Sequence, residues 1–202
     1  YTSKLIIIAA DKKESSKQNL HEMIKESHQG LPPLDIDVKE DVAILQYTGG
    51  TTGRSKGVMI THYNMVSNLQ NLVLWYGPIA ETPGERFLGA PPMIHSMGLI
   101  SMLQMICTAG TYVCLEKFQG SELLDLIRKY RPTRFAGVPA LFISLMNNPT
   151  LTKEDLSSLK QCACGATSTP IELIKEFERL SGAKITGGYG LTEASSTVAL
   201  TP

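Results

Sequence analysis

Long apolar runs and an excess of charge are both missing from this sequence of 202 residues. No apolar stretch reaches the roughly 18 residues that a membrane-spanning helix needs. The short apolar run at residues 4–10 is too brief for a signal peptide and lacks a processing site, so we expect a buried strand there. Because 19 Lys and Arg residues balance 19 Asp and Glu residues, the composition argues against a nucleic-acid-binding surface.

Metal-binding spacings are missing as well. The four cysteines include no C-x-x-C pair, and Cys162 and Cys164 lie too close together for a zinc knuckle. The four histidines are scattered along the chain without the spacing of metal ligands. All four cysteines have apolar sequence surroundings, and we therefore expect reduced, buried thiols in a cytosolic protein.

Predicted strands and helices alternate along the chain, at least three times from residue 86 onward. This alternation is typical of an α/β fold in which a mostly parallel sheet is flanked by helices. The predicted strands are residues 5–9, 42–47, 58–60, 86–90, 111–115, 134–138, 159–164 and 183–186. The predicted helices are residues 12–28, 62–73, 99–108, 122–130, 140–147 and 170–181. We expect residues 1–40 to form an N-terminal strand, helix and connector, and residues 41–202 to form the core.

Capping signals mark three of the predicted helix starts. Thr61 and Ser121 each stand where an N-cap is expected, because their hydroxyl oxygens can accept from free backbone N–H groups. Thr169 is expected to cap a helix that has Pro170 at its first position and Glu172 closing a capping box. These signals predict the boundaries of the helices more closely than periodicity alone does.

The segment YTGGTTGRSKG, residues 47–57, is the most informative part of the chain. Its glycines allow the backbone N–H groups to approach a ligand closely, and its hydroxyls and lysine add donors, which suits a phosphate group. The spacing is not that of a Walker A loop, because Lys56 lies between Ser55 and Gly57 and a strand follows. The dinucleotide pattern G-x-G-x-x-G is absent too. We expect a strand–loop–strand hairpin that holds a polyanion.

This segment resembles the phosphate-binding motif of the adenylate-forming superfamily, which includes acyl-CoA synthetases, luciferases and peptide-synthetase adenylation domains. The form LQYTGG at residues 45–50 looks most like the fatty-acyl-CoA ligase branch, although Ser55 stands where the family usually has proline. Three further stretches match the family in its own order. They are PPMIHSMG at residues 91–98, CGATSTP at residues 164–170 and GYGLTE at residues 188–193. The resemblance covers residues 41–201.

The resemblance implies a reaction in two steps, with ATP, Mg²⁺ and coenzyme A taking part. A carboxylate attacks the α-phosphate of ATP to give an acyl-adenylate and pyrophosphate, and a thiol then displaces AMP. Lys56 is the implied charge on the phosphates, Thr192 an α-phosphate donor, Tyr189 the adenine platform, and Thr48 and Glu193 the Mg²⁺ ligands. The other implied nucleotide-binding residues are Gly49, Gly50, Thr51, Thr52, Gly53, Gly165, Ala166 and Gly188, and the implied substrate-pocket residues are His95, Thr167 and Gly190.

Two clusters have an ordinary structural interpretation beside a functional one. The cations Arg128, Lys129, Arg131 and Arg134 are expected to form a solvated helix end. The methionines at positions 97, 102 and 105 favour core packing, with the lining of an acyl tunnel as the alternative.

The family's downstream aspartate, arginine and lysine are absent, so the resemblance implies the central part of a large N-terminal domain without the C-terminal catalytic domain. We expect residues 1–202 alone to form no acyl-adenylate, which a pyrophosphate-release assay can check. Two alternatives stay open: a ligase for an aryl or amino acid, and a non-catalytic nucleotide-binding module. The expected partners are a fatty acid, ATP and CoA but no nucleic acid, and the expected location is cytoplasmic. Peripheral membrane contact and the oligomeric state are left open.

Overall fold

The computed structural model describes residues 8–9, 18–19, 34–48, 55–77, 84–115 and 120–201. Its contacts divide the chain into two units, Tyr1–Ile36 and Asp37–Pro202. The described part of the first unit consists of two short parallel strands, β1 (Ile8–Ala9) and β2 (Gln18–Asn19). Strand β1 confirms the end of the first predicted strand. Strand β2 shows that the predicted helix 12–28 is wrong at those two positions, and the rest of that helix lies outside the described residues.

The second unit contains a hairpin and an α/β core. Its elements in chain order are β3 (Val42–Thr48), β4 (Lys56–Thr61), α1 (His62–Tyr76), β5 (Arg86–Gly89), α2 (Ser96–Cys107), β6 (Thr111–Cys114), α3 (Gly120–Tyr130), β7 (Arg134–Gly137), α4 (Pro139–Met146), α5 (Lys153–Leu156), β8 (Gln161–Cys164), α6 (Ile171–Ser181), β9 (Lys184–Leu191), a 3₁₀ turn (Thr192–Ala194) and β10 (Ser196–Leu200). None of the helices described in the structure is long and apolar enough to span a bilayer.

Six strands form the main sheet in the order β10-β9-β8-β7-β5-β6. Strands β5 to β9 run parallel, and β10 pairs antiparallel with β9. This arrangement confirms the predicted α/β fold. The chain passes from β5 to β6 in one direction and returns to β7 on the other side of β5. In open sheets of this kind the crevice at such a reversal, outside the carboxyl ends of the strands, is where ligands bind.

Helices cover both faces of the sheet because alternate strand residues point to opposite faces. On one face, α3, α4 and α6 pack over Phe135 of β7. The Phe142 ring lies between Phe135 and Phe177, with both pairs of ring centroids 4.9 Å apart. On the other face, Phe87 and Ala136 contact buried residues of α2. The second face carries the cleft described below.

The capping predictions are partly confirmed. Thr61 caps α1 through a capping box with Asn64, and Gly182 ends α6 in the left-handed conformation. Helix α3 begins at Gly120, so Ser121 is within the helix and not its N-cap. The prediction for α6 is also wrong, because Pro170 is the N-cap and Thr169 instead donates its hydroxyl to Cys164 Sγ at 3.2 Å. The Thr169 hydroxyl thus makes a hydrogen bond to a nearby sulfur atom and does not cap the helix as the local sequence predicts.

Two burial predictions need correction. Cys162 and Cys164 are buried as expected, but Cys107 and Cys114 are exposed, because they end an amphipathic helix and an edge strand. Arg134 is only 2% exposed and does not belong to a solvated helix end. It opens β7, a strand that is buried on both faces, and position in the sheet therefore overrides the charge pattern.

Asp155 accepts hydrogen bonds from Arg128 and Thr152, and it offers a test of the contacts that stabilise the fold. Arg128 donates to it through Nε at 2.8 Å and through a second nitrogen at 3.0 Å, and Thr152 donates through its backbone and its hydroxyl. The Arg128 hydrogen bonds, helped by those of Thr152, hold the pKa of the Asp155 carboxyl well below its usual range. A carboxyl whose pKa is lower in the folded protein than in the unfolded chain stabilises the fold at pH values above the unfolded pKa, which is near 3.9 for Asp. This stabilisation is lost as the pH falls from the unfolded pKa through the folded pKa.

We expect Asp155→Asn to lower the free energy of unfolding by about 1 kcal/mol at pH 7, the usual size of a lost helix cap. The stability gap between the parent and the variant should narrow as the pH falls below about 4, because the carboxyl then takes up a proton in the unfolded chain while the folded carboxyl, with its lowered pKa, still resists protonation. Denaturant unfolding of the full-length protein at pH 7 and at pH 3 measures this difference. Glu172→Gln, an exposed change in the first turn of α6, is the control and should show no such convergence. A constant gap between Asp155→Asn and the parent would contradict the linkage.

Candidate functional site

A cleft of about 730 Å³ opens at the carboxyl ends of the parallel strands, where the strand order reverses. This volume lies within the range of small-molecule sites. Its rim is formed by Ala90, Val138 and Gly165, which directly follow β5, β7 and β8, and by Gly188 within β9. Helices α1 and α2 supply one wall. Its described lining is almost entirely apolar and contains no carboxylate, lysine or arginine. The site therefore suits a ligand with a substantial apolar part.

The first wall is the segment between β5 and α2. His95 is exposed, lines the cleft and stands at the N-terminus of α2 without capping it through its side chain. Gln46 of β3 donates from Nε2 to the carbonyl oxygen of Ile94 at 2.9 Å, which ties this wall to the hairpin. A Cβ at Gly98 would collide with the carbonyl oxygens of Pro91 and Pro92. Only glycine therefore lets the first turn of α2 lie so close to the wall.

The second wall is the segment after β8, which faces the end of β9. Ala166 has φ +67°, a left-handed conformation that is uncommon outside glycine and that concentrates at functional sites. A Cβ at Gly165 would stand 3.3 Å from the carbonyl oxygen of Gly188, so the two segments are in close contact. Tyr189 is 65% exposed and lines the cleft at its rim. Its ring is therefore available to a planar group.

Gly190 lines the cleft and also contacts the neighbouring strand. A Cβ at this position would collide with the carbonyl oxygen of Ser196 in β10. Close packing of β9 on β10 thus requires glycine here, beside the role in the substrate pocket that the sequence predicts. Ser195 and Ser196 have φ values of +58° and +106°. The backbone two and three residues after Glu193 is therefore strained, which is common next to binding sites.

A polar region lies beside the cleft, at the hairpin. Strands β3 and β4 confirm the predicted strand–loop–strand arrangement, and Thr48 and Lys56 are paired across them at the base of the loop. Ser55 donates its hydroxyl to the carbonyl oxygen of Thr48 at 2.7 Å and so closes that base. The 3₁₀ turn that holds Thr192 and Glu193 packs beside both hairpin strands. The structure therefore brings the backbone of these four predicted residues to one region.

The side-chain oxygen atoms in this region are suitable ligands for a hard cation such as Mg²⁺. Glu193 is exposed and makes no hydrogen bond or ion pair with the described residues, and Thr48 adds a hydroxyl oxygen. The described residues contain no cluster of three or more His, Cys, Asp or Glu side chains that could enclose a metal ion. Mg²⁺ suits such a sparse oxygen set, because it keeps several waters and takes further ligands from phosphate oxygens.

The predicted site residues fall into four groups. Six line the cleft: His95, Gly165, Ala166, Gly188, Tyr189 and Gly190. Four belong to the polar region: Thr48, Lys56, Thr192 and Glu193. Thr167 is exposed next to the cleft but is not part of its lining. The loop residues Gly49, Gly50, Thr51, Thr52 and Gly53 lie outside the described residues.

Sequence reasoning missed several parts of the lining. Tyr76 ends α1 and lines the cleft, and the 3.6-residue spacing of Leu69 and Leu72 could have been extended to it. Ala136 and Ala163 also line the cleft, but only the register of the strands shows that they are neighbours. Of the methionine run, position 105 is buried in the core, as core packing predicts, and position 97 lines the cleft.

Comparison with known proteins gives a consistent result. The family model described as AMP-binding enzyme matches residues 2–202. A long-chain-fatty-acid–CoA ligase of Bacillus subtilis is 42% identical over 161 residues, which is 79% of this chain and 29% of that relative. A solved long-chain-fatty-acid–CoA ligase from Archaeoglobus fulgidus aligns with a TM-score of 0.78 at 28% identity, over 91% of this chain and 38% of that one.

A third relative carries a different kind of acid. The o-succinylbenzoate CoA synthetase of Bacillus subtilis, solved with its acyl-adenylate intermediate, aligns with a TM-score of 0.69 at 28% identity. That alignment covers 80% of this chain and 32% of the synthetase. This chain therefore spans about a third of the length of each relative that it matches.

Gly98 tests the geometry of the first wall. We expect Gly98→Ala to lower the free energy of unfolding by about 1–3 kcal/mol, because the new methyl group must displace the carbonyl groups of Pro91 and Pro92. Gly187→Ala is the matched control, since a Cβ there meets only Thr201 at an ordinary 3.5 Å. Denaturant unfolding of both full-length variants measures the difference. Equal stability of the two variants would contradict the close contact at Gly98.

Proposed function

This chain belongs to the AMP-binding enzyme family, and we propose that the protein that carries it activates a fatty acid with ATP and transfers it to coenzyme A. The observation that carries the proposal is the continuity of the cleft with the polar region through β9. Gly188 to Gly190 of this strand line the apolar cleft, and the turn that follows holds Thr192 and Glu193 beside the hairpin. An apolar acid and a polyphosphate could thus meet end to end.

In the proposed first step, a carboxylate oxygen of the acid bonds to the α-phosphorus of ATP, and the bond to the bridging oxygen of pyrophosphate breaks. Lys56 and the hairpin loop would neutralise the charge of the departing phosphates. The Thr192 hydroxyl would donate to an α-phosphate oxygen, and the exposed Tyr189 ring would stack on adenine. Thr48 and Glu193 would hold Mg²⁺, which supplies further neutralisation of phosphate charge.

In the proposed second step, the thiol of coenzyme A loses its proton to solvent, its sulfur bonds to the acyl carbon, and AMP leaves with the electron pair of the acyl–oxygen bond. In this step the described residues would position the acyl group. His95 and Gly165 flank the cleft on opposite walls, so the acyl carbon would be held between them.

The cleft lining supports a fatty acid over an amino acid. An amino acid brings an ammonium group, which in an apolar site needs a carboxylate partner. The described residues that line the cleft offer none. An aryl acid is the second candidate, and it is favoured by the likeness to a synthetase solved with an o-succinylbenzoyl-adenylate and by the aromatic rings of Tyr76 and Phe87 in the lining.

A panel of acids separates these candidates. We expect the full-length protein to catalyse acid-dependent pyrophosphate exchange into ATP with medium- and long-chain fatty acids. 4-Coumarate, o-succinylbenzoate and amino acids should give much lower kcat/KM values, because they bury less apolar surface in the cleft. A higher kcat/KM for an aryl acid than for every fatty acid would reverse the assignment of substrate class.

Lys56 tests whether the polar region acts in catalysis. We expect Lys56→Ala in the full-length protein to lower kcat for adenylate formation by about 10²- to 10³-fold, since a preorganised charge on the phosphates is lost. The structure should be retained, because Lys56 is exposed and makes no ion pair with the described residues. Lys175→Ala, an exposed lysine on α6, is the matched control and should keep the parental rate. An unchanged rate in Lys56→Ala would favour a non-catalytic nucleotide-binding module.

A further inference from the structure

The strand register sets a row of small residues across the sheet, and two of them, Ala136 and Ala163, line the cleft. On the face of the sheet that α2 covers, paired residues of neighbouring strands form rows across the sheet. The row of small residues is Gly89, Ala136, Ala163 and Thr186. The next row toward the amino ends pairs Phe87 with Arg134, and Arg134 with Gln161. The row nearer the amino ends of the strands therefore carries large side chains in place of small ones, and the groove ends there.

Two aromatic rings cover that deep end. Tyr76 of α1 and Phe87 of β5 both line the cleft, whereas Arg134 does not. The Arg134 guanidinium carbon lies 4.0 Å from the centroid of the Tyr76 ring and 5.1 Å from that of Phe87. The rings therefore separate the cleft from a buried guanidinium group. Contacts of this kind are strongest when the cation is desolvated, as it is here.

The Tyr76 ring is held in place by charge as well as by packing. Burial lowers the pKa of Arg134, while the nearby Tyr76 hydroxyl and Glu85 carboxylate oppose that change. Burial raises the pKa of Tyr76, and Arg134 opposes it. Glu85 is itself buried, with Lys160 at 3.9 Å from its Oε1. Tyr76 is therefore fixed against a cation that has its own counter-charge.

We propose that Tyr76, seated against Arg134 and Phe87, is the stop that sets the longest acyl chain the cleft accepts. This inference rests on the proposed function and deepens it. Val138, at the mouth, lies four residues along the chain from Arg134, a distance of about 13 Å at the rise of a strand. The acyl chain would cross the row of small residues and end against the Tyr76 ring.

The test compares substitutions at Tyr76 in the full-length protein. Kinetics of adenylate formation and displacement of a bound fluorescent fatty acid are measured with saturated acids of increasing length. Tyr76→Ala should move the preferred length upward by two or more carbons. Since each buried methylene is worth roughly fourfold, the ratio of kcat/KM for the longer acid to that for the parent's optimum should rise roughly tenfold or more. Tyr76→Phe keeps the ring and should keep the parental profile.

Trp75→Ala is the matched control on the same helix. Trp75 is 50% exposed and is not part of the cleft lining, so this variant should keep the parental length profile. Ala163→Leu is a second, opposite test, because it fills the groove from the row of small residues. It should shorten the preferred acid and remains informative if Tyr76→Ala does not fold.

The two proposals can fail separately. If the full-length protein forms an acyl-adenylate but Tyr76→Ala and Ala163→Leu leave the length profile unchanged, the stop is refuted and the function stands. If no acid supports adenylate formation, the function is refuted, and the displacement assay still decides whether Tyr76 limits the length of a bound chain. If Trp75→Ala shifts the preferred acid length as much as Tyr76→Ala does, the proposed role of Tyr76 is also refuted.

Discussion

The register of five parallel strands determines where every wall of the cleft stands. Because paired residues share a face, the register places Ala136 beside Ala163 and Phe87 beside Arg134. The first pair leaves space between the sheet and the helices, and the second pair closes that space. The reversal of strand order between β5 and β7 opens the groove at the carboxyl ends of the strands. Backbone pairing alone thus gives the site a depth and a direction.

Polar and apolar functions occupy different supersecondary units, and one strand joins them. The hairpin of β3 and β4 presents hydroxyl and ammonium groups, whereas the sheet and its helices enclose apolar space. Strand β9 runs from the apolar cleft to the polar hairpin within a few residues. Gln46 fixes the hairpin to the wall at Ile94, and Asn68 of α1 donates to the carbonyl oxygen of Thr197 at 2.7 Å. These two contacts hold the charged and apolar regions in register.

Local signals in the sequence predicted the order of most elements, and the family resemblance named six residues that line the cleft, but neither predicted the depth of the cleft. The glycines and hydroxyls around Lys56 predicted a hairpin, and the alternation after residue 86 predicted a parallel sheet. Arg134 was assigned to solvent because its neighbours in sequence are cations, while its neighbours in space are the rings of Tyr76 and Phe87. Such pairings arise between residues about 50 positions apart and leave no periodic trace.

Ser55 gives the base of the hairpin loop a property that proline could not. A proline ring restricts the backbone covalently and permanently, and it also lowers the entropy of the unfolded chain. The hydrogen bond from Ser55 to the carbonyl oxygen of Thr48 can break and form again, at a net free energy of only about 1 kcal/mol. The contact between Ser55 and Thr48 is therefore reversible, and its opening costs far less free energy than a covalent ring would allow.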